Sequence, residues 1–210
     1  THAPRSLNAT PEGDRARIAF AGRRNAGKSS LLNAIAGQPV SIVSHVPGTT
    51  TDPVKKAMEL LPLGPAVLVD TAGLDDDQAD VGSLRAQRAR RELRSADLVL
   101  IVTDPATGVG PCERDLVDQL RATGTAFFLV VNKADEAPLS AAALAALAED
   151  VKAPVFAVSA LTGEGVPELK RAIAEIKLEE PASQRIIGDR LRRGDVVVLV
   201  VPVDSAAPKG

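Results

Sequence analysis

The amino-acid sequence predicts an α/β fold in which a mostly parallel sheet of six strands carries helices on both faces. Short apolar runs alternate with longer segments of helical periodicity, as is typical of a parallel sheet built from βαβ units. Only Gly64 and Pro65 separate the second run from the third, which is too short for a parallel crossover, so these two strands are expected to form an antiparallel hairpin. The predicted strands are residues 17–21, 57–63, 66–69, 98–103, 126–131 and 155–158.

The helices are predicted from apolar positions that recur with a helical period. Gly37 follows the first helix and Gly124 follows the third, and a glycine just behind a helix is a common stop signal. The predicted helices are residues 28–36, a segment around 83–95, and residues 113–122, 141–149 and 166–178.

The composition is that of a globular protein with an aliphatic core. The chain has 210 residues, of which 45% are hydrophobic, and its formal net charge of -2 gives no electrostatic reason to expect nucleic acid or a membrane surface as a partner. The single cysteine, Cys112, excludes an intrachain disulfide and a multi-cysteine metal site within this sequence. With no signal-peptide pattern and no long apolar run, the sequence predicts a cytoplasmic protein.

The chain is expected to divide into three parts. Residues 1–14 are rich in polar residues and turn formers and are predicted to be a flexible leader. Residues 15–178 hold the alternating pattern of strands and helices. The pattern changes after that, and residues 179–210 are predicted to be a linker and the first strand of an incomplete second domain.

Gly22 to Ser29 have the sequence GRRNAGKS and match G-x-x-x-x-G-K-[ST] between a predicted strand and a predicted helix. The glycines let successive backbone amides point at phosphate oxygens, and the helix N-terminus favours an anion. Lys28 is expected to reach the β- and γ-phosphates and the Ser29 hydroxyl to bind Mg²⁺. A turn with accidental spacing is the alternative. The predicted phosphate-loop contacts are Gly22, Asn25, Ala26, Gly27, Lys28, Ser29 and Ser30.

Two further segments are expected to complete the site for Mg²⁺ and the γ-phosphate. Asp70 lies at the carboxyl end of a predicted strand, where open α/β sheets bind ligands, and is expected to hold Mg²⁺. Gly73 follows in the sequence DTAG and can offer its amide to the γ-phosphate. In the loop PGTTTD, Thr50 is the expected Mg²⁺ ligand and Thr49 the second choice.

The sequence NKAD at residues 132–135 follows a predicted strand and indicates which base is bound. The carboxylate of Asp135 can accept hydrogen bonds from guanine N1 and N2, whereas adenine would leave it unpaired. Asn132 is expected to brace neighbouring loops, Lys133 to lie along the base, and the amide of Ala160 to complete the pocket. A polar turn after a strand is the alternative. The predicted base-binding residues are Asn132, Lys133, Asp135, Ser159, Ala160 and Leu161.

These motifs together predict a P-loop NTPase of the small-GTPase kind that binds GTP and GDP and hydrolyses GTP to GDP and phosphate. Leu74 stands where many small GTPases carry a glutamine that orients water, so the intrinsic hydrolysis is expected to be slow.

The set GRRNAGKS, PGTTTD, DTAGL, NKAD and SAL resembles the Era/MnmE-like branch of the translation-factor-related GTPases over residues 15–178. Three longer segments resemble one family of that branch, the FeFe-hydrogenase maturation GTPase HydF: FAGRRNAGKSSLLNAI, QPVSIVSHVPGTTTDPVKKAMELLPLGP and GDVVVLVVPVDSAAPKG. The last of them resembles the start of that family's dimerisation domain.

The resemblance implies a switch GTPase of a metallocluster scaffold, with hydrogenase maturation proteins and hydrogenase as partners and a homodimer through the second domain. It also implies stimulation by K⁺, because Asn25 occupies the position that coordinates a monovalent cation in such relatives; the alternative is that Asn25 caps the loop. Asn25 thus joins Lys28, Thr50 and Gly73 in the predicted catalytic set. An iron–sulfur cluster is expected only in a further family domain, outside this sequence.

Two other functions are alternatives to this one. One is a GTPase that acts in tRNA modification or ribosome assembly, against which the acidic balance of the chain argues weakly. The other is dimerisation that depends on nucleotide binding without useful turnover.

Overall fold

The computed structural model describes residues 15–37, 54–71 and 91–176. The predicted leader, the predicted second domain, Thr50 and Gly73 lie outside the described residues, so their predictions stay predictions. Of the helix predicted around residues 83–95, the described part is helical at residues 91–94.

A six-stranded sheet with the strand order β2-β3-β1-β4-β5-β6 forms the centre of the fold. Strand β2 runs antiparallel to β3, and every other neighbouring pair is parallel. This arrangement confirms the predicted mostly parallel sheet with one antiparallel pair at its edge. The strands are β1 (Ala16–Ala21), β2 (Val54–Leu60), β3 (Gly64–Asp70), β4 (Leu98–Thr103), β5 (Ala126–Val131) and β6 (Val155–Ala157).

Four complete helices lie in the described part of the chain, and glycines end two of them. Gly37 and Gly124 take the left-handed conformation with φ of 73° and 70°, which confirms both predicted stop signals. Ser140 begins another helix by accepting a hydrogen bond from the Ala143 amide at 3.2 Å. The helices are α1 (Lys28–Ala36), α2 (Pro111–Thr123), α3 (Ala141–Val151) and α4 (Val166–Glu175).

The core has two layers, one on each face of the sheet. Alternate residues of β1 separate them, since Ile18 and Phe20 belong to one layer and Ala19 and Ala21 to the other. Helices α1 and α4 contribute buried residues to the first layer, and α2 and α3 to the second. Helices therefore cover both faces, as the sequence predicted.

The hairpin is displaced by three residues from its predicted position. The turn occupies residues 61–63, and Gly64 and Pro65 belong to β3. The predicted second strand began at residue 57 and so left out Lys55 and Lys56, both of which are charged. An edge strand tolerates such residues, and here Lys55 pairs with Glu92.

Helix ends also differ from the prediction by a few residues. Helix α2 begins at Pro111, two residues early, because proline suits the first helical turn, where its missing amide is not needed. Helix α4 ends at Glu175, and Ile176 is extended with ψ of 123°, so the helix does not run on to residue 178. Among the helices of the described residues, none has the length and apolar character that a membrane crossing requires.

Candidate nucleotide-binding site

The candidate site lies at the edge of the sheet where the parallel strands end. The loop from Gly22 to Gly27 follows β1, and Asp70 is the last residue of β3. The segments 132–135 and 159–161 follow β5 and β6. Because parallel strands present their carboxyl ends at one edge, the topology brings these four segments to the same side of the sheet.

The backbone of the phosphate loop turns at three residues with positive φ: Gly22 at 144°, Asn25 at 61° and Gly27 at 88°. A Cβ on Gly22 would lie 2.0 Å from the carbonyl oxygen of Val102, and one on Gly27 would lie 2.2 Å from Nδ2 of Asn132. Both fixed glycines of the motif are thus required by conformation and by close packing. Asparagine is among the residues that best tolerate the left-handed conformation.

Lys28 opens α1 with its side chain folded over the phosphate loop. Its ammonium donates to the carbonyl oxygens of Gly22 at 2.9 Å and of Arg23 at 2.7 Å. The residue is 8% exposed, although it carries a charge. These bonds keep the ammonium on the loop that is expected to hold the phosphates; its contact with the phosphates stays a prediction.

Two predicted Mg²⁺ ligands meet at the start of α1. The hydroxyl of Ser29 donates a hydrogen bond to Oδ2 of Asp70, although 41 residues separate them in sequence. Ser29 is exposed and Asp70 is half-buried. A hydroxyl and a carboxylate are hard oxygen ligands of the kind that Mg²⁺ prefers, so the pair fits this ion.

Asn132 joins the phosphate loop to the loop after β6. Its Nδ2 donates to the carbonyl oxygen of Ala26 at 3.0 Å, and its Oδ1 accepts the backbone amide of Ala160 at 3.0 Å. Its own amide donates to the carbonyl oxygen of Thr103 at 2.8 Å, and the residue is 2% exposed. Asn132 therefore holds the phosphate loop and the loop after β6 against the end of β4. The Ala160 amide, assigned to the base from the sequence, here donates to Asn132, and its contact with a base stays a prediction.

Asp135 is exposed on a loop that is anchored to the rest of the fold. The amide of Ala134 donates to the carbonyl oxygen of Val158 at 3.0 Å, which fixes this loop against the end of β6. The ammonium of Lys133 lies 3.9 Å from Oδ2 of Asp104, at the end of β4. The carboxylate of Asp135 is thus accessible to a base, as its predicted role requires.

Ser159 and Leu161 differ in their surroundings. Ser159 is fully buried, and its hydroxyl accepts the amide of Thr162 at 3.0 Å, so its side chain shapes the loop. The side chain of Leu161 is 86% exposed at the tip of the same loop. Leu161 is accordingly free to pack against a ligand, whereas Ser159 contributes through the fold of the loop.

Two residues at this edge were not predicted from the sequence. Oδ1 of Asp104 accepts the amides of Ala106 at 3.0 Å and Thr107 at 2.8 Å, which fixes the loop after β4. An aspartate at a strand end, followed by Pro105, is a turn signal that could have indicated it. The second residue, Glu113, pairs with Arg23 of the phosphate loop, and its spacing from Gly110 fits half of a capping box.

A mostly parallel sheet in this strand order, with a lysine-bearing glycine loop after β1, is the architecture of P-loop GTPases. Comparison with known families agrees with this class. The chain belongs to the family described as 50S ribosome-binding GTPase, whose model matches residues 17–133. The protein is thus a GTPase, which confirms the expected hydrolysis of GTP, and membership of this family implies guanine nucleotide and Mg²⁺ as ligands.

The chain is similar to curated tRNA modification GTPases named MnmE. It is 41% identical to the one from Symbiobacterium thermophilum over 172 residues, which is 81% of this chain and 37% of that protein. It is 37% identical to the one from Moorella thermoacetica over 166 residues, 77% of this chain and 35% of the relative. The chain thus spans little more than a third of the length of the curated relatives that it matches.

Solved structures with the same fold include a protein bound to ribosomal RNA and a domain of an iron transporter. Era in complex with MgGDPNP and nucleotides 1506–1542 of 16S ribosomal RNA matches with a TM-score of 0.63 and 27% identity, over 77% of this chain and 56% of that chain. The G domain of the T. maritima iron transporter FeoB matches with a TM-score of 0.60 and 30% identity, over 77% of this chain and 98% of that domain. None of these matches points to HydF, so the narrower resemblance has no support from them.

Proposed function

We propose that this chain is the GTP-hydrolysing module of a larger protein and that K⁺ stimulates its hydrolysis. The observation that carries the proposal is the state of Asn25 in the phosphate loop. Its backbone is left-handed with φ of 61°, and its side chain is exposed. Within the described part of the chain, that side chain forms no hydrogen bond. Its amide oxygen is thus available to a cation.

In the alternative interpretation, Asn25 only caps the loop, and its side chain would then have a different partner. A cap requires the asparagine side-chain oxygen to accept a hydrogen bond from a nearby backbone amide. The described loop contains no such bond. A cation on this oxygen would lie beside the phosphates, where positive charge offsets the charge that develops as the bond to the γ-phosphate breaks.

The other residues of the module bind and orient the nucleotide. Lys28 would place its ammonium on the phosphates, and Asp135 would accept the guanine donors. Ser29 and Asp70 would hold Mg²⁺, which neutralises charge on the phosphate oxygens when bound. In the reaction, water attacks the γ-phosphorus, the bond to the β-phosphate oxygen breaks, and GDP and phosphate are released.

The test of K⁺ stimulation compares initial rates of GTP hydrolysis in K⁺ and in Na⁺ at equal ionic strength. We expect the rate to be at least about tenfold higher in K⁺. Na⁺ carries the same charge but is smaller, so only a cation of fitting size is held by the loop beside the phosphates, where one well-placed stabilising group contributes about 2.7–4 kcal/mol. Asn25→Gly keeps the left-handed backbone and removes the side-chain amide. In this variant the ratio of the rate in K⁺ to the rate in Na⁺ should fall to about one, while GDP still binds. Asn33→Ala, an exposed asparagine of α1, is the matched control. Equal wild-type rates would refute the role of Asn25.

For the larger protein, we propose a tRNA-modification GTPase of the MnmE kind. The support is the identity to proteins of that name, at 41% and 37% over most of this chain. The net charge of -2 gives no electrostatic reason to expect nucleic acid as a partner. The charge of one module does not exclude RNA binding by a longer protein, and Era, a relative of the same fold, is bound to RNA.

Hydrogenase maturation is the second candidate, and one sequence observation favours it. The segment GDVVVLVVPVDSAAPKG resembles the start of the HydF dimerisation domain. The segment lies outside the described residues, and the comparisons favour tRNA modification. Hydrogenase partners, a homodimer and an iron–sulfur cluster elsewhere in the protein belong to this candidate alone.

Deletion of the gene separates the two candidates. Under the first, nucleoside analysis of total tRNA by mass spectrometry should show loss of a modified nucleoside, restored by the wild-type gene and not by the Lys28→Ala variant. Under the second, tRNA should be unchanged and hydrogenase activity should be lost. Unchanged tRNA would contradict our proposal.

A further inference from the structure

The phosphate loop has an anchor in a part of the chain that none of the nucleotide motifs includes. The guanidinium of Arg23, the second residue of the loop, lies 3.0 Å from Oε2 of Glu113 in the first turn of α2. Glu113 is 1% exposed, and Arg23 is only 27% exposed. The same oxygen of Glu113 accepts the backbone amide of Gly110 at 3.0 Å. A buried carboxylate thus ties the loop after β4 to the phosphate loop.

Gly110 provides the room for this ion pair. Its φ of -94° is open to any residue, so the glycine is not needed for backbone conformation. A Cβ at this position would lie 1.5 Å from the guanidinium nitrogen of Arg23. Every other residue at position 110 would displace Arg23. The absence of a side chain therefore serves the contact between Arg23 and Glu113.

Arg23 connects this anchor to Lys28. The side chain of Arg23 is held by Glu113, and its carbonyl oxygen accepts the ammonium of Lys28 at 2.7 Å. A shift of Arg23 would therefore move an acceptor on which the lysine is oriented. The three residues form a continuous chain of contacts from α2 to the phosphate-binding ammonium.

Stability alone does not account for the pair. Oε1 of Glu113 is buried, and within the described residues it has no hydrogen-bond partner. Burial of a charged group with an unpaired oxygen costs free energy, and buried ion pairs of this kind are often no more stabilising than apolar residues of the same size. A benefit in the geometry of the loop would offset that cost.

We propose that Glu113 is a positioning residue for nucleotide binding, which acts through Arg23 to hold Lys28 in place for the phosphates of GTP. It does not touch the nucleotide. Because the loop contacts phosphates in the ground state and in the transition state alike, its distortion should raise KM more than it lowers kcat. The inference rests on the GTPase activity of the family and not on K⁺ or on the identity of the larger protein.

The experiment measures the Kd for GDP, and kcat and KM for GTP, in Glu113→Gln, Arg23→Met and the double variant. Glutamine keeps an oxygen for the Gly110 amide and removes the charge that holds Arg23. We expect each single variant to weaken GDP binding about tenfold and to change kcat less than about twofold. The double variant should bind GDP no more weakly than the weaker-binding single variant, because both changes remove the same contact.

Asp150→Asn is the matched control. This change breaks the ion pair between Arg114 and Asp150, whose atoms lie 2.9 Å apart. Arg114 is the residue after Glu113 in α2, and both partners are about half-exposed. Its Kd for GDP should equal that of the wild type.

Two results would overturn the proposal. One is a lower Tm for Glu113→Gln with an unchanged Kd, which would make the pair structural only. The other is additive loss of affinity in the double variant, which would show that Glu113 does not act through Arg23. If Glu113→Gln fails to fold, the double variant tests the proposal instead, because it buries neither charge. Its Kd for GDP should still be about tenfold higher than that of the wild type.

Discussion

Replacement of Asn132 by alanine should loosen the phosphate loop and the base loop at once. The change removes the donor to the carbonyl oxygen of Ala26 and the acceptor of the Ala160 amide, each at 3.0 Å. Ala26 is 1% exposed, so water cannot replace the lost donor, and the buried carbonyl costs about 1–3 kcal/mol. Ala160 is half-buried and can bind water, so its lost bond costs about 0.5–1.5 kcal/mol.

Together the two losses lower the free energy of unfolding by about 1.5–4.5 kcal/mol. For a domain of this size, 1 kcal/mol lowers the Tm by about 2–4 °C, so Asn132→Ala should lower it by about 3–18 °C. The measurement is thermal unfolding followed by circular dichroism without nucleotide. The Kd for GDP should also rise at least about tenfold, because the two loops that are predicted to bind the phosphates and the base lose their shared anchor.

Asn33→Ala is the control for this prediction. Asn33 is exposed on α1, and its Oδ1 accepts a hydrogen bond from Lys56, also at the surface. Its loss should change the free energy of unfolding by less than about 0.5 kcal/mol. A Tm for Asn132→Ala within about 2 °C of this control would refute the bridging role of Asn132.

Three further variants test the predicted contacts with the nucleotide. Asp135→Asn should weaken GTP binding by about 1–3 kcal/mol and favour xanthosine triphosphate, measured by competition; unchanged GTP affinity would remove the account of base selection. Lys28→Ala should weaken GTP binding by about 10²–10³-fold in a titration, since charge-assisted bonds are lost, and normal affinity would mean that this loop is not the phosphate site. Ser29→Ala should raise the Mg²⁺ concentration for half-maximal hydrolysis about tenfold, and an unchanged Mg²⁺ dependence would contradict the ligand role of Ser29.

The sequence predicted the sheet well because its strands are buried and apolar along most of their length. All residues of β4, for example, are buried, and its bounds match the prediction. The hairpin was displaced because β2 is an edge strand, and charged residues on such a strand hide its pattern. Boundaries set by a glycine in the left-handed conformation, as at Gly37, were predicted because that signal is local.

The motif residues were identifiable because the spacing of a phosphate loop is imposed by the ligand. The contacts that hold the motif residues in place were not identifiable, because they join segments that are distant in sequence. Asn132 and Ala26 are 106 residues apart, and only the packed sheet shows that they touch. Glu113 resembles any acidic residue in a first helical turn until Arg23 is placed beside it.

The two supports act on opposite sides of Asn25, and this has a consequence for the proposed cation. Glu113 holds the loop at Arg23, and Asn132 holds it at Ala26. The amide of Asn25 can ligate a cation only if the backbone between those points keeps its shape, including the φ of 61°. Loss of either support should therefore raise the K⁺ concentration for half-maximal stimulation, even when GTP is saturating. If Glu113→Gln and Asn132→Ala bind nucleotide weakly yet keep the wild-type K⁺ dependence at saturating GTP, Asn25 owes its position to the left-handed backbone alone.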